Sequence, residues 1–301
     1  MFCLDDGPRA LDCLEFDDHL RHVDGLDDAA FLAMDLERLG RPELGASFLD
    51  AYVEFSRDPA PVALRHHYIA YRAVVRAKVA YLRHGQGDPG AAADAADHAA
   101  LALRHLEHGA VRLALVGGLP GTGKTTVGGA LADRFGAVLL SSDRVRKELA
   151  GIDPAAAAGA PFRSGLYTAA HTAATYDELL RRAGMLLSRG ESVVLDASWT
   201  DARHRAAAAD LADRTSNDLV ALQCHADEGI AERRIATRGP TASDATAPLA
   251  RMMSRTADPW PQARLIRTDG SLADSLTAAA TMWEHAPGRA HRVAATAARA
   301  G

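Results

Sequence analysis

The stretch Gly118-Leu119-Pro120-Gly121-Thr122-Gly123-Lys124-Thr125 meets the spacing GxxxxGK[ST] at every fixed position. The residue types say what such a spacing can do. A loop that wraps phosphate oxygens must bring several backbone N–H groups within hydrogen-bond range of them. Side chains at the crowded positions would block that approach, and Gly118, Gly121 and Gly123 remove them. Lys124 sets an ammonium against β- and γ-phosphates, and Thr125 offers a hydroxyl to a Mg²⁺ that bridges them. The apolar run Leu113–Val116 precedes the loop, and a helix-forming segment from Thr126 to Phe135 follows it. The start of that helix turns free N–H groups and its positive dipole end toward the same anion. The expected ligands are therefore ATP and Mg²⁺. Gly118, Gly121, Thr122, Gly123, Lys124, Thr125 and Thr126 hold the nucleotide, and Thr125 serves the metal. A chance glycine-rich turn is the plain alternative, and the two flanks argue against it.

Three further segments carry groups that could serve a reaction on that phosphate. The next apolar run ends in Ser141-Ser142-Asp143, so Asp143 sits at a strand's carboxyl end and opens a helix, where an N-cap is expected. Arg146 follows one turn later, so both side chains could face one cleft. A carboxylate there could accept the proton of an attacking hydroxyl, and the guanidinium could hold substrate or γ-phosphate. Spacing alone fits a helix cap and a solvated arginine equally well. Asp196 ends the run Val193-Val194-Leu195 and should emerge beside the loop, where it could hold a water on Mg²⁺; capping the turn before Thr200-Asp201 is the alternative. Arg233, Arg234 and Arg238 lead into Gly239-Pro240-Thr241-Ala242-Ser243-Asp244, which suits a mobile lid and suits a solvated face as well. Trp199 could line a substrate pocket, and core packing is the favoured reading.

Taken together, the GxxxxGK[ST] loop, the D-x-x-R pair at Asp143 and Arg146, the strand Val193–Ala197 and the arginines near Arg234 and Arg238 resemble the small P-loop kinases of AAA type. These include the kinase half of polynucleotide kinase, gluconate-type kinases and zeta-toxin-like sugar-nucleotide kinases. The resemblance runs from Val111 to Ala286. It implies that Asp143 acts as general base and that Arg146 contacts the reacting phosphate. It also implies that Arg234 and Arg238, ranked above Arg233, close over ATP and neutralise charge on the transferring group. The implied catalytic set is Lys124, Asp143, Arg146, Arg234 and Arg238, with Thr125 and Asp196 on the metal.

The elements that must position these groups change character near residue 109. Before it the pattern is helical, with amphipathic segments over 27–39, 43–55, 62–83 and 91–107, punctuated by Gly40, Pro42, Pro59, Pro61 and Pro89-Gly90. After it, short apolar runs at 111–116, 137–140, 192–195, 219–223 and 265–266 alternate with helical segments. Continuous rather than alternating hydrophobicity suits parallel strands covered on both faces. The fold class is α/β, a P-loop three-layer sandwich with a parallel sheet, preceded by a mostly helical N-terminal domain. The expected domains are 1–109, 110–286 and a flexible tail at 287–301, with a Gly/Ala/Pro linker over 151–161.

Within the first domain, Leu11-Asp12-Cys13-Leu14-Glu15-Phe16, the acids Asp24, Asp27 and Asp28, and the helix with Tyr71, Arg72, Arg76 and Lys78 resemble the C-terminal lobe of aminoglycoside phosphotransferase-like kinases. The resemblance covers residues 4–107 and implies a Mg²⁺ ligand at Asp12. The H-x-D-x-x-x-x-N catalytic loop of that family is missing: His22-Val23-Asp24 has Ala29 where the asparagine belongs, and it follows the metal strand. A carboxylate alone cannot position a nucleophile or hold ATP. The reading is a truncated lobe, catalytically silent, with a protein partner as its remaining use.

Composition bounds the rest. The chain has 301 residues, 48% hydrophobic and 24% charged, with 34 Lys plus Arg against 39 Asp plus Glu for a net charge of −5. A mildly acidic balance leaves no electrostatic footprint for duplex nucleic acid or an anionic membrane. Cys3, Cys13 and Cys224 form no disulfide framework and no zinc spacing, and His66, His67, His105 and His171 show no ligand spacing. The acidic N-terminus is unlike a signal peptide, and no apolar run reaches the ~18 residues a membrane helix needs, so a cytoplasmic protein is expected. The expected activity is transfer of the γ-phosphate of ATP to a hydroxyl of a small molecule. An ATP-binding regulatory module, and a nucleic-acid 5′-hydroxyl kinase that the acidic balance disfavours, are the alternatives.

Overall fold

Proline and glycine set the frame of the first hundred residues. The computed structural model describes residues 2–4, 7–9, 23–153, 168–237 and 246–286. Asp12, Arg238, the lid segment 239–244, most of the linker and the tail at 287–301 lie outside them. Clustering of the backbone divides the chain into two units, Met1–Gly109 and Ala110–Gly301.

In the first unit β1 (Phe2–Leu4) and β2 (Gly7–Arg9) form an antiparallel pair. Four helices follow: α1 (Gly25–Arg38), α2 (Pro42–Ser56), α3 (Val62–Gly85) and α4 (Ala91–His108). Asp24 caps α1 by accepting from the backbone N–H of Leu26, and Pro42 opens α2, where its missing N–H costs nothing. Leu26, Met34, Leu49, Ile69 and Leu101 meet in the core of this unit. Asp27, expected only as one of several acids, is buried and paired with Arg72 at 2.7 Å.

The second unit begins with β3 (Arg112–Gly117), then α5 (Lys124–Phe135), β4 (Val138–Ser141), α6 (Ser142–Leu149) and α7 (Ala169–Leu187). Next come β5 (Val193–Asp196), α8 (Ala202–Arg214), β6 (Asp218–His225) and α9 (Glu228–Thr237). The last are α10 (Ala247–Thr256), β7 (Arg264–Arg267) and α11 (Leu272–Glu284). The sheet is parallel throughout, in the order β4-β5-β3-β6-β7. Every residue of β3 and β5 is buried, because helices cover both faces. Leu113 and Leu115 point to the face packed by α7 and α8. Ala114 and Val116 point to the face packed by α5 and α11. That period of two along one strand produces the three layers. The chain leaves β3 for β4 on one side and later crosses from β5 to β6 on the other. Ligands in such sheets sit where neighbouring crossovers diverge, at the strands' carboxyl ends.

Candidate functional site

The strand register brings three ends level: Val116 of β3 and Ser141 of β4 both pair with Asp196 of β5. The glycine-rich loop leaves β3 at that level. Gly118, Gly121 and Gly123 have φ of 142°, 80° and 79°, a region that side-chain-bearing residues avoid. Space is also short, since a Cβ on Gly121 would stand 2.4 Å from the carbonyl oxygen of Ala231 on α9. Thr122 is buried, and its hydroxyl donates to the Leu119 carbonyl at 2.7 Å, fixing the loop from inside. Gly123 occupies the N-cap position of α5, so the N–H groups of Lys124, Thr125 and Thr126 open the helix, with both threonines exposed.

Asp196 and Thr125 meet. The Thr125 hydroxyl donates to Asp196 Oδ2 at 2.8 Å, while Oδ1 of this buried carboxylate has no hydrogen-bond partner among the described residues. Burial raises the Asp196 pKa above the ordinary carboxylate range, Lys124 and the Thr125 hydroxyl pull it back, and Asp143 pushes it up again. An orphaned acceptor beside a threonine hydroxyl at the mouth of the loop fits Mg²⁺ held largely by phosphate oxygens and water. No cluster of three or more His, Cys, Asp or Glu able to hold a metal occurs among the described residues.

Asp143 differs from expectation in one respect. Ser141 takes the N-cap position of α6, because β4 runs straight into the helix, and Asp143 falls in the first turn. Its Oδ1 accepts from Arg146 at 3.0 Å instead of capping the helix. Both residues, with Lys124 and Pro120 from the loop, line a cavity of ≈ 1270 Å³. Its other walls come from α7, α8 and α10, including Thr172, Tyr176, Asp177, Asp201, His204 and Met253. A smaller cavity of ≈ 330 Å³ lies between the loop, the end of β6, α9 and α10.

Arg234 does not line the large cavity. Its guanidinium donates to the Thr268 carbonyl at 2.6 Å and stands 3.7 Å from where a Cβ on Gly123 would be. Thr268 in turn donates from its hydroxyl to the Thr122 carbonyl at 2.7 Å. Arg234 is thus tied to the loop's flank, and Arg233 lies on the same helix. Trp199 is buried, with φ of 53°, and its indole N–H donates to the Leu195 carbonyl at 3.3 Å. It packs in the core.

Sequence reasoning missed Tyr176, His204 and Thr268. Thr268 follows the last strand, and the rule that ligands gather at carboxyl ends could have flagged it. Tyr176 and His204 carried no signal. They lie on separate helices and meet only through the fold, their rings stacked with centroids 3.9 Å apart and planes 8° apart.

Strand order, loop and flanking helices define unit two as an α/β fold of P-loop type. Residues 113–259 match the model of a family described as an AAA domain. Uncharacterized proteins of Mycobacterium tuberculosis (strain H37Rv) and Mycobacterium bovis are each 46% identical over 286 residues, covering 95% of this chain and 57% of theirs. The chain thus spans little more than half the length of the curated relatives it matches. Among solved structures, a sugar kinase from Janibacter sp. HTCC2649 is 19% identical, covering 59% of this chain and 96% of that one, with a TM-score of 0.44. A gluconokinase from Sinorhizobium meliloti 1021 is 20% identical, covering 60% and 94%, with a TM-score of 0.41. At these scores the likeness decides nothing about this chain's chemistry.

Proposed function

We propose that unit two is an ATP- and Mg²⁺-dependent phosphotransferase that moves the γ-phosphate of ATP to a hydroxyl of a small molecule. The observation that carries this reading is the shared cavity: the loop lysine, Lys124, opens into the same space as the Asp143–Arg146 pair. A phosphate seat next to a carboxylate and a guanidinium, with room for a second molecule, is what an in-line transfer requires.

Backbone N–H groups from Gly121 to Thr126 and the Lys124 ammonium hold the β- and γ-phosphates, with Gly118 keeping the approach clear of a side chain. Asp143 accepts the proton of the acceptor hydroxyl as its oxygen attacks the γ-phosphorus, and the bond from that phosphorus to the β-phosphate bridging oxygen breaks. Arg146 holds the Asp143 carboxylate in place and faces the equatorial oxygens of the moving group. Thr125 and Asp196 would hold Mg²⁺, whose chemistry there would be charge neutralisation of the phosphates. Arg234 flanks the nucleotide from the Thr268 side, and Arg238 is assigned to closure over it. The first unit is read as an accessory helical domain, open to a protein partner. No helix among the described residues is long and apolar enough to cross a membrane.

The test is transfer of label from γ-labelled ATP across a panel of sugars, amino-sugars, nucleosides and 5′-hydroxyl oligonucleotides, with Asp143→Asn alongside. Labelling of a small acceptor that Asp143→Asn abolishes supports the reading. ATP binding with no labelled product would favour a regulatory nucleotide module, and labelling of the oligonucleotide alone would favour a nucleic-acid kinase.

A further inference from the structure

The charged groups on the walls of the large cavity do not cancel, and the remainder bears on what it admits. At the reacting end Lys124 is committed to phosphate, and Asp143 is balanced by Arg146 at 3.0 Å. At the far end Asp201 is balanced by Arg203 at 2.6 Å, with Arg203 largely exposed. Two carboxylates on the lining are left over, Asp177 on α7 and Asp258 in the segment after α10. Asp258 accepts the backbone N–H of Ala202 at 2.8 Å, a neutral donor that leaves its charge in place. Asp177 makes no hydrogen bond or ion pair among the described residues.

His204 lines the same cavity and feels the charge of Asp177. Its inner face is stacked on Tyr176, whose own hydroxyl is taken up by Ser198 Oγ and the Trp199 N–H, each at 3.2 Å. Burial lowers the His204 pKa below the ordinary histidine value, Arg203 adds to that, and Asp201 and Asp177 oppose it. At neutral pH the ring therefore supplies a flat face and a hydrogen-bonding edge without a compensating cation.

We infer that the acceptor is a polyhydroxylated small molecule that is neutral or carries an ammonium group. It rests against His204 and turns its non-reacting end toward Asp177 and Asp258. An anionic acceptor, such as a sugar acid, a phosphorylated sugar or a nucleic-acid end, would bring like charge against Asp177 and against Asp258, whose attraction to the exposed Arg203 is shared with Asp201. The inference rests on the phosphotransferase reading.

The experiment uses one hexose scaffold in three charge states, glucose, glucosamine and glucuronate, with the full chain. Two readouts are taken: kcat/KM for label transfer from γ-labelled ATP, and ligand-observed NMR binding to the chain loaded with a non-hydrolysable ATP analogue. Glucosamine and glucose are expected to exceed glucuronate by about tenfold, since a like charge held near two exposed carboxylates costs several-fold against each even after solvent screening. Asp177→Lys should shrink that ratio about tenfold while leaving the KM for ATP unchanged. Glucuronate equal or preferred, no binding by any of the three, or an unaltered order in Asp177→Lys overturns the inference. The expected binding order without any label transfer would leave the charge preference standing and remove the phosphotransferase reading instead.

Discussion

The hydroxyl of Thr125 donates to Asp196 Oδ2 at 2.8 Å, tying the last residue of the glycine-rich loop to the end of the adjacent strand. The other oxygen of that buried carboxylate has no hydrogen-bond partner among the described residues. Asp196→Asn preserves shape and removes the charge. Transfer should fall by about 10²-fold, and the Mg²⁺ concentration for half-maximal rate should rise. Initial rates across a Mg²⁺ titration check this. An unchanged Mg²⁺ requirement would reduce Asp196 to a structural partner of Thr125.

Asp143 and Arg146 are bonded to each other and face the cavity rather than the helix terminus. Asp143→Asn should leave ATP affinity within about twofold and lower transfer by about 10²–10⁴-fold, the range of a lost general base. Calorimetry for binding and label transfer for turnover separate the two. Equal loss in both would show that the carboxylate holds structure, not protons.

A methyl group on Gly118 would meet Thr122 Oγ1 at 2.5 Å and the Cys224 carbonyl at 2.6 Å, with φ at 142°. The carbonyl belongs to a buried strand and cannot step aside. Gly118→Ala should cost about 1–3 kcal/mol of stability in unit two and weaken ATP binding. Thermal melting with and without MgATP measures both, and a variant that melts like the parent would show that the loop is not held this tightly.

How much of this was readable beforehand follows the range of each interaction. β3 and β5 stood out as unbroken apolar runs because both sheet faces are covered, and Asp196 followed from being where such a run stops. The loop was readable because its glycines answer a local demand on φ. The N-cap at Asp143 was misplaced by two residues, since no intervening loop separates β4 from α6. Tyr176 against His204 and Thr268 against Thr122 were not readable at all. Each joins distant segments, and neither residue type is unusual in its own neighbourhood. Arg234 was readable as an arginine on the helix after β6 but not as a partner of the Thr268 carbonyl beside the loop, which depends on where β7 ends.

The helical unit carries its own titrating chain. Glu37 of α1 bonds His105 of α4 at 2.7 Å, and His105 contacts His66 of α3 at 2.8 Å. Burial pushes His66 down to about 4, helped by His105, His108 and Arg65 and opposed by Glu37. An unfolded histidine titrates near 6.5. Between about 6.5 and 4 the unfolded chain therefore binds a proton that the folded unit refuses, so stability falls as pH falls through that window. Glu37, held below its usual range by His105 and Arg104 against burial, loses its contribution on further acidification. Melting temperatures at pH 7 and pH 5 should differ, and His66→Gln should flatten the difference. A parent chain as stable at pH 5 as at pH 7 would contradict this assignment.

The account depends first on the seat for triphosphate. Titration calorimetry of MgATP into the chain and into Lys124→Ala tests it most directly. Saturable binding by the parent, lost or weakened by at least about tenfold in Lys124→Ala, is the predicted result. No heat with the parent at millimolar MgATP, or identical isotherms for the two chains, would contradict it.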